Sequence, residues 1–179
     1  MSRYRRARTG STYFFTLVSY ERRPILCHEA LRKLLRVAVQ NVRVQRPFEI
    51  DAWVQMPDHL HCVWTLPEDD TDYSTRWAQI KRSVSRFCEE DMKLSHAVSE
   101  SRRKHRDSTI WQRRFFEHQI VDEDDFARHV DYVHFKPVRH GLAESAAAWP
   151  FSTFHRYVRA GILPEDWAGA RDAQTMDLE

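Results

Sequence analysis

Two histidines placed two residues apart are the first side chains in this sequence whose types and spacing could do chemistry. They lie in the stretch PDHLHCVW that begins at Pro57, just before an apolar run. In a β-strand, alternate residues face the same side, so His59 and His61 would project together. Two imidazoles on one strand supply half of a metal site. Because a chain with 10 histidines also produces this pattern by chance, a polar strand face remains the alternative.

A tyrosine on a predicted helix is the second candidate. Tyr132 and Lys136 are four residues apart and therefore share one helix face. A phenol beside a metal-bearing strand could attack the phosphorus of a phosphodiester, while the metal polarises a non-bridging oxygen, and the product would be a covalent phosphotyrosine. Taken alone, Tyr132 is more typical of a half-buried core residue.

Composition excludes several classes of protein. With 179 residues, 42% hydrophobic and 30% charged, the sequence is typical of one soluble globular domain. It shows neither an apolar run long enough for a membrane span nor the core of a signal peptide. Three scattered cysteines indicate a reducing, cytoplasmic environment and exclude a cysteine-based zinc module. Four glycines provide no phosphate-binding loop.

Charge is distributed unevenly although the net charge is only +2. Residues 1–9 form a basic arm with four arginines, and residues 73–118 hold 11 basic against 6 acidic residues. Residues 141–179 hold 3 arginines against 6 acids. This asymmetry suggests a polyanionic partner and an acidic tail that shields the same surface. Truncation after Ala160 should then raise affinity. Solvated surface helices would explain the charges equally well.

Apolar periodicity predicts the elements in the order β-α-β-β-α-β-α. Strands are expected at 13–18, 48–56, 59–66 and 109–120, the second and third joined as a hairpin at Pro57-Asp58. The first helix is expected at 27–46 and the second at 74–92, with Trp77, Ile80, Val84 and Phe87 on its core face. The third begins at Asp122–Asp125 and stops at Pro137. A short helix is expected near 151–160.

This order predicts an α+β fold, the ferredoxin-like split β-α-β sandwich, in which an antiparallel sheet carries helices on one face and an added C-terminal helix bears the tyrosine. We expect a single domain at 10–160, preceded by the basic arm at 1–9 and followed by an acidic, flexible tail at 161–179. The polar segment 94–108 is expected to be a mobile loop.

Five motifs then occur in a characteristic order: GSTYFFT from Gly10, MPDHLH from Met56, WQRRFFEH from Trp111, YVHFKPVRHG from Tyr132 and WPFS from Trp149. Through them, over residues 9–160, the chain resembles the REP-associated tyrosine transposases, the single-tyrosine branch of the HUH nucleases within the IS200-like superfamily. The resemblance implies an endonuclease and strand transferase for single-stranded DNA. Such enzymes bind short palindromic hairpins and leave a 5′-phosphotyrosine and a free 3′-OH. They are expected to act as monomers near the nucleoid.

The resemblance also implies a divalent metal, Mg²⁺ or Mn²⁺, at His59 and His61, although two imidazoles also suit softer ions such as Ni²⁺ or Zn²⁺. The family places asparagine as a further ligand where this chain has Lys136, and an ammonium has no lone pair for a metal. Three interpretations stay open. The metal is held more weakly, Lys136 itself supplies positive charge at the phosphate and the phenolate, or cleavage is lost and binding remains.

Candidate DNA contacts lie in the basic arm and in two later basic segments. They are Arg3, Arg5, Arg6, Arg8, Gly10, Ser11, Thr12, Tyr13, Lys81, Arg82, Arg113 and Arg114. Tyr13 could stack on an unpaired base, or it could be a core residue. A zinc hydrolase is a third class of function, but it would need another ligand and a base, and Asp58 faces away from the histidine pair in a strand.

Overall fold

The structure is a computed structural model that describes Tyr4 and residues 10–88, 92–93 and 109–169. Three predictions fall outside these residues. They concern the arm arginines Arg3, Arg5, Arg6 and Arg8, the loop at 94–108, and the end of the acidic tail at 170–179.

A four-stranded antiparallel sheet forms the centre of the molecule, with strand order β2-β3-β1-β4. Its strands are β1 Thr12–Val18, β2 Glu49–Gln55, β3 His59–Thr65 and β4 Phe116–Gln119. The predicted hairpin is present, since β2 pairs directly with β3 and the amide of Met56 donates to the carbonyl of His59 at 2.8 Å. β3 is an inner strand and is buried along its whole length. The histidine pair therefore sits on the most constrained strand of the sheet.

Helices cover both faces of this sheet. They are α1 Glu29–Gln45, α2 Tyr73–Phe87, α3 Glu123–Arg139 and α4 Phe154–Arg159, with 3-10 turns at Tyr20–Arg22 and Ala146–Ala148. α1 and α2 pack on the face that presents Phe15 and Trp64. α3 and α4 pack on the opposite face over Phe14 and Val63. This arrangement confirms the predicted α+β sandwich with an added C-terminal helix that carries Tyr132.

Aromatic packing under α2 fixes the position of β3. The rings of Trp64 and Trp77 stack at a centroid distance of 4.0 Å, and Phe15 meets both edge-on. All three side chains are fully buried, and truncating one aromatic core residue to alanine costs about 3–5 kcal/mol. Because Trp64 and His61 lie on one strand with opposite parity, the packing on one face holds the histidines on the other.

The predicted end of the third helix was wrong. α3 contains Pro137 and continues to Arg139. Proline lacks an amide proton, yet its fixed φ suits a helix and only one hydrogen bond is lost there. The amide of His140 still donates to the carbonyl of Lys136 at 3.1 Å. The chain leaves the helix at Gly141, whose φ of +66° is the left-handed conformation that glycine adopts most readily.

Two further details differ from the sequence prediction. Phe87, expected on the core face, is the last residue of α2 and is 64% exposed, while the next residue, Cys88, is buried. The strand expected at 109–120 pairs only over Phe116–Gln119, and Trp111 forms a separate bridge to Ser19. Phe87 thus lies in the predicted element but is exposed, whereas Trp111 is buried but lies outside the paired strand.

Packed structure extends beyond residue 160. Leu163 and Trp167 are buried in the core beneath α3 and α4. The Trp167 ring lies 5.8 Å from that of Phe154 and 6.4 Å from that of Phe135, measured between centroids. None of the described helices is both long and apolar enough to cross a membrane.

Candidate active site

The two histidines of β3 face α3 from the middle of the sheet. The rings of His59 and His61 lie side by side with centroids 4.8 Å apart, and both side chains are buried. This is the common orientation that their spacing of two residues predicted. Asp58 lies at the start of the strand, where its carboxylate contacts Arg22 and His59.

Hydrogen bonds at Nδ1 orient both rings. Nδ1 of His61 lies 2.8 Å from the hydroxyl of Thr16 on β1, and Nδ1 of His59 lies 2.6 Å from a carboxylate oxygen of Asp58. Nε2 is then the nitrogen of each ring that can coordinate a metal. Nε2 of His61 is buried and has no hydrogen-bond partner among the described residues. An oriented, desolvated imidazole lone pair of this kind fits a divalent metal ion.

Electrostatics keep the His61 imidazole in the form that a metal requires. Burial lowers the pKa of His61 well below its ordinary value, and the neighbouring His59 and Lys136 lower it further, so the ring is neutral. Burial alone would raise the pKa of Asp58, but the hydrogen bond to His59 and the charges of His59 and Arg22 outweigh it, and the net shift is downward. Asp58 is therefore an ionised acceptor that supports His59 from behind.

α3 brings Tyr132 and Lys136 to the same place. The Tyr132 ring lies edge-on to that of His61 at 5.3 Å between centroids. Nζ of Lys136 donates to the Tyr132 hydroxyl at 2.5 Å and lies 4.7 Å from the ring centre. Phe14 of β1 supports the phenol edge-on at 5.8 Å. The structure thus joins the two predicted metal ligands and the two predicted catalytic side chains in one cluster.

This cluster is closed to solvent in the present conformation. The exposed fraction is 1% for Tyr132 and 2% for Lys136. His140 lies at the solvent-facing border of this cluster. It is exposed, and its ring centroid is 5.3 Å from that of His59. A polymer substrate can reach the phenol only after α3 or the side chains around it shift.

The predicted DNA contact on α2 lies on the opposite side of the sheet from Tyr132. Nζ of Lys81 on α2 donates to the carbonyls of Gln112 and Arg113 at 2.7 and 3.0 Å, so the structure brings two of the basic segments together. Arg82, Arg113 and Arg114 are exposed. Since α2 packs on the face opposite to α3, Lys81 and Tyr132 lie on different sides of the sheet.

The start of β1 and the two residues before it are packed more tightly than their sequence suggested. Tyr13 is buried in the α1/α2 core, 4.7 Å from the ring of Tyr73, and the hydroxyl of Thr12 lies 2.8 Å from that of Thr65. Ser11 is half-buried and its carbonyl accepts from the amide of Leu66. Gly10 is exposed at φ +104°, where a Cβ would collide with the carbonyl of Leu66.

Comparison with known proteins agrees with this fold and site. The family model described as "Transposase IS200 like" matches residues 7–136. The REP-associated tyrosine transposase of Escherichia coli K12 is 44% identical over 170 residues, which cover 94% of this chain and 92% of that protein. A protein of Haemophilus influenzae is 42% identical over 173 residues, covering 96% of both chains.

A solved structure of a REP-associated tyrosine transposase bound to a REP hairpin superposes with a TM-score of 0.78 at 42% identity, covering 99% of this chain and 96% of that one. The chain therefore belongs to the IS200-like transposase family and, within it, to the REP-associated tyrosine transposases, as its motifs predicted.

Proposed function

We propose that this protein cleaves and rejoins single-stranded DNA beside short palindromic hairpins, with Tyr132 as the nucleophile. The observation that carries the proposal is the 5.3 Å distance between the ring centroids of Tyr132 and His61. A helix phenol and a strand imidazole at this separation can act on one phosphate group. The hairpin named for the related structure suggests the substrate class.

Cleavage would be a transesterification at phosphorus. The Tyr132 oxygen, having released its proton to water, forms a bond to phosphorus while the bond from phosphorus to the 3′ oxygen breaks. The leaving 3′ oxygen takes up a proton and becomes a free 3′-OH, and the 5′-phosphate stays on Tyr132. Attack by a 3′-OH on that phosphotyrosine reverses the step and joins strands, so no external energy source is needed.

His59 and His61 would hold the divalent ion, Mg²⁺ or Mn²⁺ in the family pattern, with Asp58 and Thr16 fixing the rings from behind. When bound, that ion supplies positive charge at a non-bridging phosphate oxygen. Lys136 occupies the position of the family's asparagine, and its ammonium directly contacts the Tyr132 hydroxyl. We assign to Lys136 the stabilisation of the phenolate and of charge that develops at phosphorus. The contact between Lys136 and Tyr132 favours this role over the interpretation that Lys136 merely removes a metal ligand.

DNA would be held by the basic arm together with the basic segments on the body. Within the arm sequence, Tyr4 contacts α3, since its hydroxyl donates to the carboxylate of Asp131 and its ring meets Phe126 and Tyr157 edge-on. Arg3 and Arg5 flank Tyr4 in the sequence. Phosphate contacts from such an arm would add affinity without reading sequence.

Burial of Tyr132 and the presence of Lys136 support a second candidate, a hairpin-binding protein in which cleavage is weakened or lost. A closed site without the family's asparagine could still hold DNA through its basic surface. This candidate predicts tight hairpin binding without metal and no covalent product. Gain of cleavage by Lys136→Asn would show an active site silenced at a single position.

The discriminating experiment is a covalent-adduct assay with 5′- and 3′-labelled single-stranded hairpin DNA. We expect the wild-type protein to form an adduct with Mn²⁺, and the Tyr132→Phe variant to form none while binding the hairpin equally well. Tyr157→Phe is the matched control, because its hydroxyl donates to the backbone carbonyl of Asp51 on the same side of the sheet. An adduct that persists in Tyr132→Phe would exclude Tyr132 as the nucleophile.

A further inference from the structure

A second cluster of metal-binding side chains lies at the edge of the sheet, apart from the histidine pair of β3. It consists of His118 on β4 with Asp125 and His129 on α3, and one ligand atom of each lies within 4.8 Å of the other two. Asp125 and His129 are four residues apart and so share a helix face. Two consecutive elements thus bring a carboxylate and two imidazoles close together.

The contacts within the cluster are short and oriented. Nε2 of His118 lies 2.9 Å from one carboxylate oxygen of Asp125, and Nδ1 of His129 lies 3.1 Å from the other. The two imidazole rings stack at 4.7 Å with an interplanar angle of 15°. In a tetrahedral zinc site with metal–ligand bonds near 2.0–2.1 Å, ligand atoms lie about 3.4 Å apart. The ligand atoms of this cluster lie within 4.8 Å of one another, so the side chains would have to turn and draw together by up to about 1.4 Å to reach that spacing.

A buried nitrogen of His129 without a hydrogen-bond partner among the described residues is suited to bind a cation. Nδ1 of His129 lies 2.8 Å from the backbone carbonyl of Asp125, so Nδ1 carries the proton and the lone pair of the neutral ring is on Nε2. That atom is buried and has no hydrogen-bond partner among the described residues, while the whole residue is only 2% exposed. A buried acceptor without a donor costs free energy, and a bound cation would remove that cost.

We infer that His118, Asp125 and His129 bind a divalent transition-metal ion of the Zn²⁺ class. A set of two imidazoles and one carboxylate suits Zn²⁺ better than Mg²⁺, which prefers oxygen ligands. Asp125 can give one oxygen to the metal and still accept from the amide of Val121, which donates to it at 3.1 Å. Arg128, whose guanidinium is 3.5 Å from Asp125, is half exposed and can turn away.

The site is separate from the proposed catalytic centre. The Phe14 ring lies between them, 5.6 Å from that of His61 and 4.9 Å from that of His129. Bound metal would fasten β4, an edge strand of four residues, to the first turns of the helix that carries Tyr132. The bound metal would thus have a structural effect, because it would hold α3 against the edge of the sheet.

Zinc titration in a His59→Ala/His61→Ala background tests this inference independently of the proposed nuclease function. The protein, without an affinity tag and stripped with a chelator, should bind about one equivalent of Zn²⁺ by calorimetry, and its melting temperature should rise. Adding His118→Ala, a partly exposed position that the fold tolerates, should weaken Zn²⁺ binding at least about 10-fold and abolish the thermal shift. Adding His28→Ala instead, at an exposed histidine, should change neither.

Cobalt substitution identifies the ligands directly. Co²⁺ bound by nitrogen and oxygen should give visible d–d bands without the thiolate charge-transfer band that any of the three cysteines would produce. If the double variant binds no Zn²⁺, or if the added His118→Ala leaves affinity and thermal shift intact, the cluster is a hydrogen-bonded network around Asp125 and the inference is overturned.

Discussion

The ammonium nitrogen of Lys136 lies 2.5 Å from the hydroxyl oxygen of Tyr132, and both side chains are buried against the sheet face that carries His61. A charge placed this way interacts more strongly with a phenolate than it would in water, because the surroundings screen it weakly. It cannot coordinate a cation. Lys136 is therefore positioned to influence Tyr132, the proposed nucleophile.

Lys136→Met should separate the charge of Lys136 from its packing, since methionine retains much of the length without the ammonium. If the ammonium stabilises the phenolate and the developing phosphorane charge, the rate of adduct formation should fall by about 100-fold, the effect of removing one preorganised donor. Hairpin affinity should stay nearly constant. Single-turnover cleavage and gel-shift measurements check the two quantities.

The matched control for that prediction is Lys33→Met on α1. Lys33 is exposed and pairs with Glu29 at 2.6 Å, so the same chemical change is made away from the site. Equal cleavage rates for Lys136→Met and wild type would remove Lys136 from the mechanism.

Thr16→Val should weaken metal binding without altering the shape of the core. The change removes the hydroxyl that lies 2.8 Å from Nδ1 of His61, and loss of such an orienting partner lowers metal affinity about 10–100-fold. Thr12→Val is the natural control, because Thr12 is buried on the same face of β1 but its hydroxyl contacts Thr65. Mn²⁺ affinity by calorimetry should fall in the first variant only, and an equal fall in both would indicate general strand damage.

Local periodicity was sufficient to place the four candidate side chains on the elements that the structure shows. Alternation along β3 put His59 and His61 on one face, and the spacing of four residues put Tyr132 and Lys136 together on α3. Both features depend only on the geometry of a strand or a helix. The family motifs further predicted that β3 and α3 bring these side chains together.

The remaining features of the site depend on tertiary packing, which local periodicity does not reveal. The contact of His118 with Asp125 was not predicted, because it depends on β4 pairing with β1 and on α3 starting beside that edge. The complete burial of Tyr132 could not be predicted either, since amphipathicity shows which side of a helix faces inward but not how tightly that side is covered. Pro137 misled for another reason, since proline is tolerated where a helix has only one more turn to make.

His134 should make stability depend on pH. Burial, with smaller contributions from the charges of Arg156 and His155, lowers its pKa to about 3, against about 6.5 in the unfolded chain. At pH values between these two pKa values, His134 is protonated in the unfolded state but neutral in the folded state. Stability is therefore lost as pH falls below about 6.5. The slope can reach about 1.4 kcal/mol per pH unit.

Urea unfolding of wild type and His134→Gln at about pH 6.5 and about pH 5 measures this effect. Glutamine keeps a group able to bond the Thr153 hydroxyl, which lies 3.0 Å from Nε2 of His134, but it does not titrate. The variant should lose less stability on acidification by up to about 2 kcal/mol. The exposed His28→Gln should follow wild type, and identical acid sensitivity in all three proteins would contradict the prediction.

Truncation after Gly169 should have a different effect from truncation after Ala160. The shorter protein lacks Leu163 and Trp167, and removing a buried tryptophan side chain costs about 3–5 kcal/mol. Gly169 itself packs against α3, since a Cβ there would meet the Phe135 ring at 2.6 Å. The longer protein loses only residues 170–179, which hold three acids and one arginine.

If the acidic tail shields the basic surface, the Gly169 truncation should bind a REP-type hairpin more tightly at low salt and with nearly unchanged melting temperature, because removing negative charge strengthens attraction to phosphate. The gain should shrink as salt rises. A parallel full-length variant with Asp172, Asp177 and Glu179 changed to asparagine or glutamine distinguishes charge from chain length. Unchanged affinity at low salt in both proteins would show that these residues do not compete with DNA.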